Sequence, residues 1–242
     1  TSSGSGDTTK VFKYTIQAGD NDSNGISIGA NALALNNGTI MDLAENNAIL
    51  THIAVSDNNS YMVDTTVTAN FTKANDSVGT VTGDFTSDNT TDDTALVLSG
   101  TNESGSSVKV YNNTTELGTA NVTGTSWSYT ATVVNGTTHL FNVRETDLAG
   151  NTSAATSNLA VTGDTTAPTT PSVSGTTPTD NTTPTWSWSA GGGGNGTYRY
   201  KLDNSDLTSG ATQTTSTSYT PGSGISEASH TLYVQERDAA GN

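Results

Sequence analysis

The chain has 242 residues, with 23 acidic against 8 basic side chains and a formal charge of −15. So acidic a surface repels nucleic acid and anionic membranes and attracts divalent cations. Cysteine is absent, which removes disulfides and thiolate metal sites, and no apolar run approaches the ~20 residues that span a bilayer. No signal peptide is visible either, so any export signal is expected outside these residues.

Only 31% of the residues are hydrophobic. That is lean for one large core but enough for several thin β-sandwiches, in which alternate strand residues face inward. In chain order, the first feature is Asp20-x-Asp22-x-Asn24-Gly25, which has the spacing of the first half of an EF-hand loop. Asn31 stands where that loop needs its twelfth-position Glu, and a turn rich in Asn and Asp gives the same string. Residues 44–52 could form a helical turn, and no long amphipathic helix follows. Strand signals then recur at residues 95–99, 107–111, 127–131, 141–143, 186–188, 198–202 and 232–234, rich in β-branched and aromatic side chains. Asn112-Asn113, Asn135-Gly136, Asn195-Gly196 and Pro221-Gly222 punctuate them as turns. Trp127, Trp186 and Trp188 are expected in cores, and His139 and His230 at solvent-edge strand starts. The glycine run at 191–194 reads as a flexible hairpin tip.

Self-similarity organises these signals. Val143-Arg144-Glu145-Thr146-Asp147-Leu148-Ala149-Gly150-Asn151 matches Val234-Gln235-Glu236-Arg237-Asp238-Ala239-Ala240-Gly241-Asn242 at an offset of 91, and His139 falls on His230. A weaker copy is Asp42-Leu43-Ala44-Glu45-Asn46. Asp64-Thr65-Thr66 likewise resembles Asp164-Thr165-Thr166-Ala167-Pro168, 100 residues later. The period of about 90–100 residues is that of one immunoglobulin-like sandwich. The Asp-Thr-Thr pieces read as linkers, stiffened at the second by Pro168 and Pro171. The expected domains are therefore 1–64, the C-terminal part of a repeat; 65–164, a full repeat; and 165–242, a repeat lacking its last strand. The fold class is all-β: tandem immunoglobulin-like Greek-key sandwiches in a linear array.

The Asp-x-Ala-Gly-Asn strand end, followed by Asp-Thr-Thr-Ala-Pro, resembles the bacterial immunoglobulin-like repeats of large secreted adhesins of the RTX or biofilm type. The block from Tyr14 to His52 is similar to a related repeat type of the same proteins. The resemblance implies extender modules that project a terminal binding domain from the cell and bind calcium near their junctions. Glu45 stands where the usual Gly would sit, and no Pro follows Asp64, so the first unit departs from the pattern.

Period-two alternation puts Glu145 and Asp147 on the inward face where their strand leaves the core. Two converging acids repel unless a cation neutralises them, and Asp164 is expected to complete the cage against the next domain. Glu236 and Asp238 are the equivalents in the third repeat. Asp64 and Asp42 are expected to serve the first junction, and Asp20, Asp22 and Asn24 the separate loop. The competing reading is that Asp147 and Asn151 only cap a turn. The expected cofactor is Ca2+, and the expected partners are neighbouring repeats, other copies of the chain or a host or matrix surface, with no nucleic acid and no membrane insertion. No Gly-x-Ser-x-Gly, His-Glu-x-x-His or P-loop pattern argues for an enzyme. The function read from these features is mechanical extension at a bacterial cell surface. Two rivals stay open: a filament subunit assembled by strand exchange, and a glycan- or protein-binding module with exposed aromatics near Tyr198 or Tyr219.

Overall fold

The computed structural model describes residues 11–242. All regular structure among them is β, and the stretch at 44–52 forms no helical turn but irregular chain with one isolated bridge at Asn47. There the Asp42 carboxylate takes the Ala44 and Asn46 N–H groups, and Glu45 adopts φ 64°. Local side-chain bonding and a left-handed residue both defeat a helix. The chain divides into two compact units. One gathers Thr1–Thr68 with Glu145–Ala154, and the other Ala69–Arg144 with Ala155–Asn242.

In the first unit, β1 (Ile26–Ile28) pairs antiparallel with β2 (Val55–Asn58). Gly25, at φ 98°, leads into β1, and a Cβ there would lie 2.2 Å from the Asn58 carbonyl oxygen. Large side chains stay outside: Ile26, Ile28 and Val55 are about half exposed, and neither hydrophobic cluster draws a residue from this part of the chain.

The second unit opens with β3 (Asn70–Asp76), β4 (Gly83–Phe85), β5 (Asn89–Thr91) and β6 (Ala95–Thr101). It continues with β7 (Ser107–Asn112), β8 (Thr115–Thr119), β9 (Asn121–Thr123), β10 (Ser126–Thr132), β11 (Thr138–Thr146) and β12 (Leu159–Gly163). They form two sheets, β4-β3-β6-β10-β9 and β5-β12-β11-β7-β8. The chain changes sheet from β6 to β7 and again from β10 to β11, the over-and-back path of a Greek key. Strand alternation fills the space between with Leu96, Leu98, Val108, Val110, Phe141, Val143, Leu159 and Val161. Trp127 is 2% exposed, and its Nε1–H donates to the Asn70 carbonyl at 3.0 Å. Gly100 lies under that indole, where a Cβ would come within 2.7 Å of Nε1.

The same order recurs further on with fewer strands. β13 (Ser172–Gly175), β14 (Trp186–Ser189) and β17 (Ser218–Tyr219) make one sheet, and β16 (Thr212–Thr214), β15 (Thr197–Leu202) and β18 (Leu232–Arg237) the other. They stand where β3-β6-β10 and β8-β7-β11 stand in the preceding sandwich. This core is smaller and aromatic. Trp188, Tyr198, Leu232 and Val234 are buried, with Trp186, Tyr200, Leu202 and Tyr219 packed around them. Tyr219 stacks on Trp186 and leans on Tyr200, so these aromatics are core and offer no exposed platform.

The paired histidines differ from each other: His139 departs from the solvent-edge expectation, whereas His230 lies part-exposed at the start of β18. His139 is buried at 7% exposure, stacks on Phe141 and accepts the Val134 N–H on Nε2. Burial lowers its pKa. The neighbour of His139 is Asn112, whereas the residue facing His230 is Asp203. The Asp203 carboxylate, 2.6 Å from Nδ1, raises the His230 pKa, helped by the Ser226 carbonyl at Nε2. The two signs predict opposite pH dependence. The contribution of His139 is complete above the ordinary value of 6.5 and is lost as pH falls through the lowered folded value. That of His230 is complete below 6.5 and is lost as pH rises through the raised value. Urea melts from pH 5 to 8 should show His139→Gln flattening the acid limb and His230→Gln the neutral one.

Candidate functional site

Three short stretches close in the same way. In each, an Asp backbone N–H donates to the carbonyl of the Asn four residues on, at 3.0 Å for Asp42, 3.1 Å for Asp147 and 3.3 Å for Asp238. The carboxylate takes the backbone and side-chain N–H groups of that Asn. Those distances are 2.9 and 2.9 Å for Asp42, 2.8 and 2.7 Å for Asp147, and 3.0 and 3.0 Å for Asp238. A closed ring of this kind needs a left-handed residue just before the Asn. Gly150 at φ 92° and Gly241 at φ 106° supply it freely, and Glu45 supplies it under strain. The Asn151 side-chain amide leads the N–H groups that hold the Asp147 carboxyl below the ordinary carboxylate range, and Asn46 does the same for Asp42.

Both Asp-Thr-Thr linkers are gripped by two asparagines. On one side the turn amide donates to the linker carbonyl: Asn151 Nδ2 to Asp64 O at 2.9 Å, and Asn242 Nδ2 to Asp164 O at 2.7 Å. On the other, Asn21 Oδ1 accepts the Thr65 N–H at 3.0 Å while its amide reaches the Thr66 hydroxyl at 3.3 Å. Asn135 treats Thr165 and Thr166 likewise, at 2.9 and 3.1 Å. The aspartates complete the motif by capping the second threonine N–H: Asp64 for Thr66 at 3.1 Å and Asp164 for Thr166 at 3.0 Å. Nothing in local sequence marks Asn21 or Asn135 for this; the second reads as an ordinary Asn-Gly turn. What could have found them is the linker repeat itself, whose polar backbone must be satisfied wherever it is ordered.

The acids thus group differently from the expected cage. Asp147 stands with Asp64, their carboxylate oxygens within 4.8 Å. Asp164 is held by Asn242 and, through its own N–H, by the Thr91 carbonyl. The Asp147 and Asp238 turns therefore each close on the linker that precedes their own repeat. Asp238 faces a buried acid group that sequence reasoning missed: Asp76, Asp92 and Asp93, at 4, 9 and 2% exposure. Burial raises the Asp92 pKa most, and Asp76, Asp238 and Asp93 add to it. Its Oδ1 is buried without a hydrogen-bond partner. Asp93 is also buried, but the Ala95 and Ser77 N–H groups and the Ser77 hydroxyl outweigh burial and lower its pKa. At this junction the Thr80 hydroxyl donates to the Gly241 carbonyl at 2.9 Å.

Glu145 and Glu236 are buried, as the alternation requires, at 0 and 3% exposure. Glu236 turns under the 194–196 loop, where Oε1 accepts the Gly196 N–H at 3.0 Å and the carboxylate faces Tyr198. A Cβ on Gly194 would fall 2.1 Å from Glu236 Cδ, and one on Gly191 would fall 2.0 Å from the Thr169 carbonyl oxygen. Gly191 and Gly194 are thus closely approached by their neighbours, although the run itself is exposed. Asp20, Asp22 and Asn24 are engaged separately. Asp20 takes the Gln17 N–H and the Tyr14 hydroxyl, Asp22 caps Asn24 and Gly25, and Asn24 donates to Asp57.

Calcium–oxygen distances of about 2.3–2.6 Å put two ligands of one ion up to roughly 5 Å apart. The Asp64–Asp147 spacing satisfies that limit, and the orphaned Asp92 oxygen has the chemistry of a ligand. The carboxylates in the turns retain lone pairs beyond those used by their N–H partners.

Residues 66–165 match the model of a family described as bacterial Ig-like domain. No curated protein matches the chain. Among solved structures, it is similar to a chain from the fibronectin(III)-like modules of Clostridium thermocellum CbhA, at 15% identity and a TM-score of 0.40, covering 64% of this chain and 84% of that one. Residues 66–165 thus resemble a bacterial Ig-like domain, within a chain whose regular structure among the described residues is all β.

The strained turn gives a direct test. Glu45→Gly relieves a left-handed non-glycine residue and should stabilise the first unit by about 1 kcal/mol, read as a higher melting temperature for that unit.

Proposed function

We propose that this chain is a spacer from an extracellular bacterial surface protein of the adhesin type, in which Ig-like sandwiches are held in series by clamped linkers and stiffened further by calcium. Bacterial Ig-like domains are often extracellular or surface-exposed, which supports that location. The observation that carries the reading is the duplicate clamp. Two linkers 100 residues apart are gripped by the same pattern of asparagine amides, and a flexible tether has no use for such fixation. Side-chain amides fix the linker backbone, and calcium adds to them by neutralising Asp64 with Asp147 at one linker and Asp92 with Asp238 at the other.

Extracellular calcium modules bind at about 10⁻⁴–10⁻³ M. Free calcium ten-fold above the dissociation constant adds about 1.4 kcal/mol per site. That is modest for a domain, yet across a junction it selects one inter-domain angle from many. The test is to melt the chain and measure its maximum dimension by small-angle scattering, with calcium and with EGTA. Calcium should raise the melting temperature. Asp92→Asn should melt at or above the parent in EGTA and lose part of the calcium-dependent rise. The raised Asp92 pKa also predicts that the parent, relative to this variant, loses stability as pH rises through the folded value. Identical melting and dimensions with and without calcium would remove the metal from the proposal and leave the amide clamp.

A further inference from the structure

By strand alternation, Thr197, Arg199 and Lys201 on β15 and Tyr233, Gln235 and Arg237 on β18 stand on the outer face of their sheet, opposite the aromatic core. Gln213 of β16 joins them, because it pairs with Arg199. β15 is the middle strand and is paired on both edges, so the face is complete where Arg199 stands. The register sets Arg199 opposite Gln235, Arg237 opposite Thr197 and Lys201 opposite Tyr233. Three of the eight basic residues of a chain with a formal charge of −15 therefore share one small face.

Elsewhere the cations are answered. Lys73 bridges to Asp84, Lys109 Nζ lies 2.9 Å from Glu116, and the Arg144 guanidinium stands 6.0 Å from the centre of the Tyr111 ring. On the β15–β18 face the partners are neutral. Arg199 sends Nε and Nη2 to the single Gln235 Oε1, at 3.0 and 2.7 Å, and Lys201 Nζ donates to the Asp206 and Ser209 carbonyls. Asp206 lies in the field of Lys201 and Arg199, but its Oδ1 accepts the Thr208 N–H and hydroxyl. Among the described residues, the buried Arg237 Nε finds no hydrogen-bond partner.

These groups border an open cleft of about 400 Å³, lined by Thr197, Arg199, Gln213, Gln235 and Arg237 together with Thr80 of the preceding sandwich. Glu236 borders it from the inner face, with Oε1 engaged by the Gly196 N–H. A buried guanidinium N–H with no acceptor is costly, and a ligand that supplies one removes the cost. The Arg199 fork, steadied on one side by Gln235, keeps further N–H groups for a planar acceptor, and a carboxylate has the matching geometry. Around the two arginines, the Gln213 and Gln235 amides and the Thr197 hydroxyl can both donate and accept. Neighbouring hydroxyls of a sugar satisfy that pattern, whereas a bare carboxylate uses only the arginines.

We propose that this cleft binds a sugar unit that carries a carboxylate, a uronic acid, with the carboxylate at Arg199 and Arg237 and the hydroxyls on Gln213, Gln235 and Thr197. Tyr233, 37% exposed, continues the face beside Lys201 and offers a ring to the next sugar of a chain. The site uses none of the turn or linker carboxylates. Its success or failure is thus separate from that of the calcium-stiffened junctions.

Titration of the isotope-labelled full chain with galacturonate in EGTA, followed by NMR at the glutamine amides and arginine Nε–H groups, tests the site. Signals of Arg199, Gln213, Gln235 and Arg237 should shift saturably, in the millimolar range of one small ligand. Galactose and acetate each lack half of the pattern and should bind at least about ten-fold more weakly. Arg199→Gln should lose at least about ten-fold in galacturonate affinity with its strand amides unmoved. Gln213→Ala should weaken galacturonate but not acetate, and Arg144→Gln, on the preceding sandwich, should bind as the parent does. Trigalacturonate binding more tightly than the monomer places the unit in a polysaccharide, and equal affinity makes it a free sugar; either upholds the proposal. Unshifted signals, acetate binding as tightly as galacturonate, an Arg199→Gln chain that binds normally, or a triglutamate peptide that binds more tightly than trigalacturonate overturns it.

Discussion

A linker carbonyl needs a hydrogen-bond donor, and the ordering of both linkers follows from how that need is met. Left to water, the Asp64 and Asp164 carbonyls would leave the chain between sandwiches free to turn. Here each receives a side-chain amide from a turn fixed within its own ring of bonds. The amide is positioned because the aspartate at the head of that turn holds the same asparagine through both its backbone and its side chain. A residue that looks like a metal ligand therefore has a prior task, which is to aim an asparagine. A cation at Asp147 or Asp238 would reinforce an arrangement that neutral hydrogen bonds already define.

Charge runs against this arrangement. Asp76, Asp92, Asp93 and Asp238 gather at low exposure where two sandwiches meet, and the whole chain is strongly acidic. Hydroxyls and backbone N–H groups answer for part of that charge. Thr91 donates to Asp76, and Ser77 donates to Asp93. Asp92 is the exception, with an oxygen left bare and a pKa pushed up by burial and its acidic neighbours. Buried like charges of this kind favour any condition that neutralises them, whether a proton or a divalent ion. The proposed stiffening by calcium thus turns on one carboxylate rather than on overall acidity.

Much of the fold was legible in sequence because strands announce themselves by period. Leu96 and Leu98, Val108 and Val110, and Phe141 and Val143 alternate inward as read. The inward aim of Glu145 and Glu236 followed from the same count. The site was legible only in part. The repeat pointed to the right turn and linker, but it could not say which turn meets which linker, because that depends on the path of the chain across the sheets. Asp164 was therefore assigned to the 145–147 strand end, whereas Asn242 holds it. The clamp residues Asn21 and Asn135 carry no periodic signal; a turn asparagine looks the same whether or not it reaches another segment. His139 and His230 look equivalent by position, but burial lowers the pKa of the first, whereas the Asp203 carboxylate raises that of the second.

Amide hydrogen exchange at Thr65, Thr66, Thr165 and Thr166 tests the central claim most directly. Those N–H groups donate to Asn21, Asp64, Asn135 and Asp164 side chains. They should exchange well below coil rates in EGTA, and Asn135→Ala should release Thr165 while leaving the β10 and β11 amides protected. Coil-like exchange at all four threonines beside protected strands would show that the linkers are free and that the clamp does not hold them.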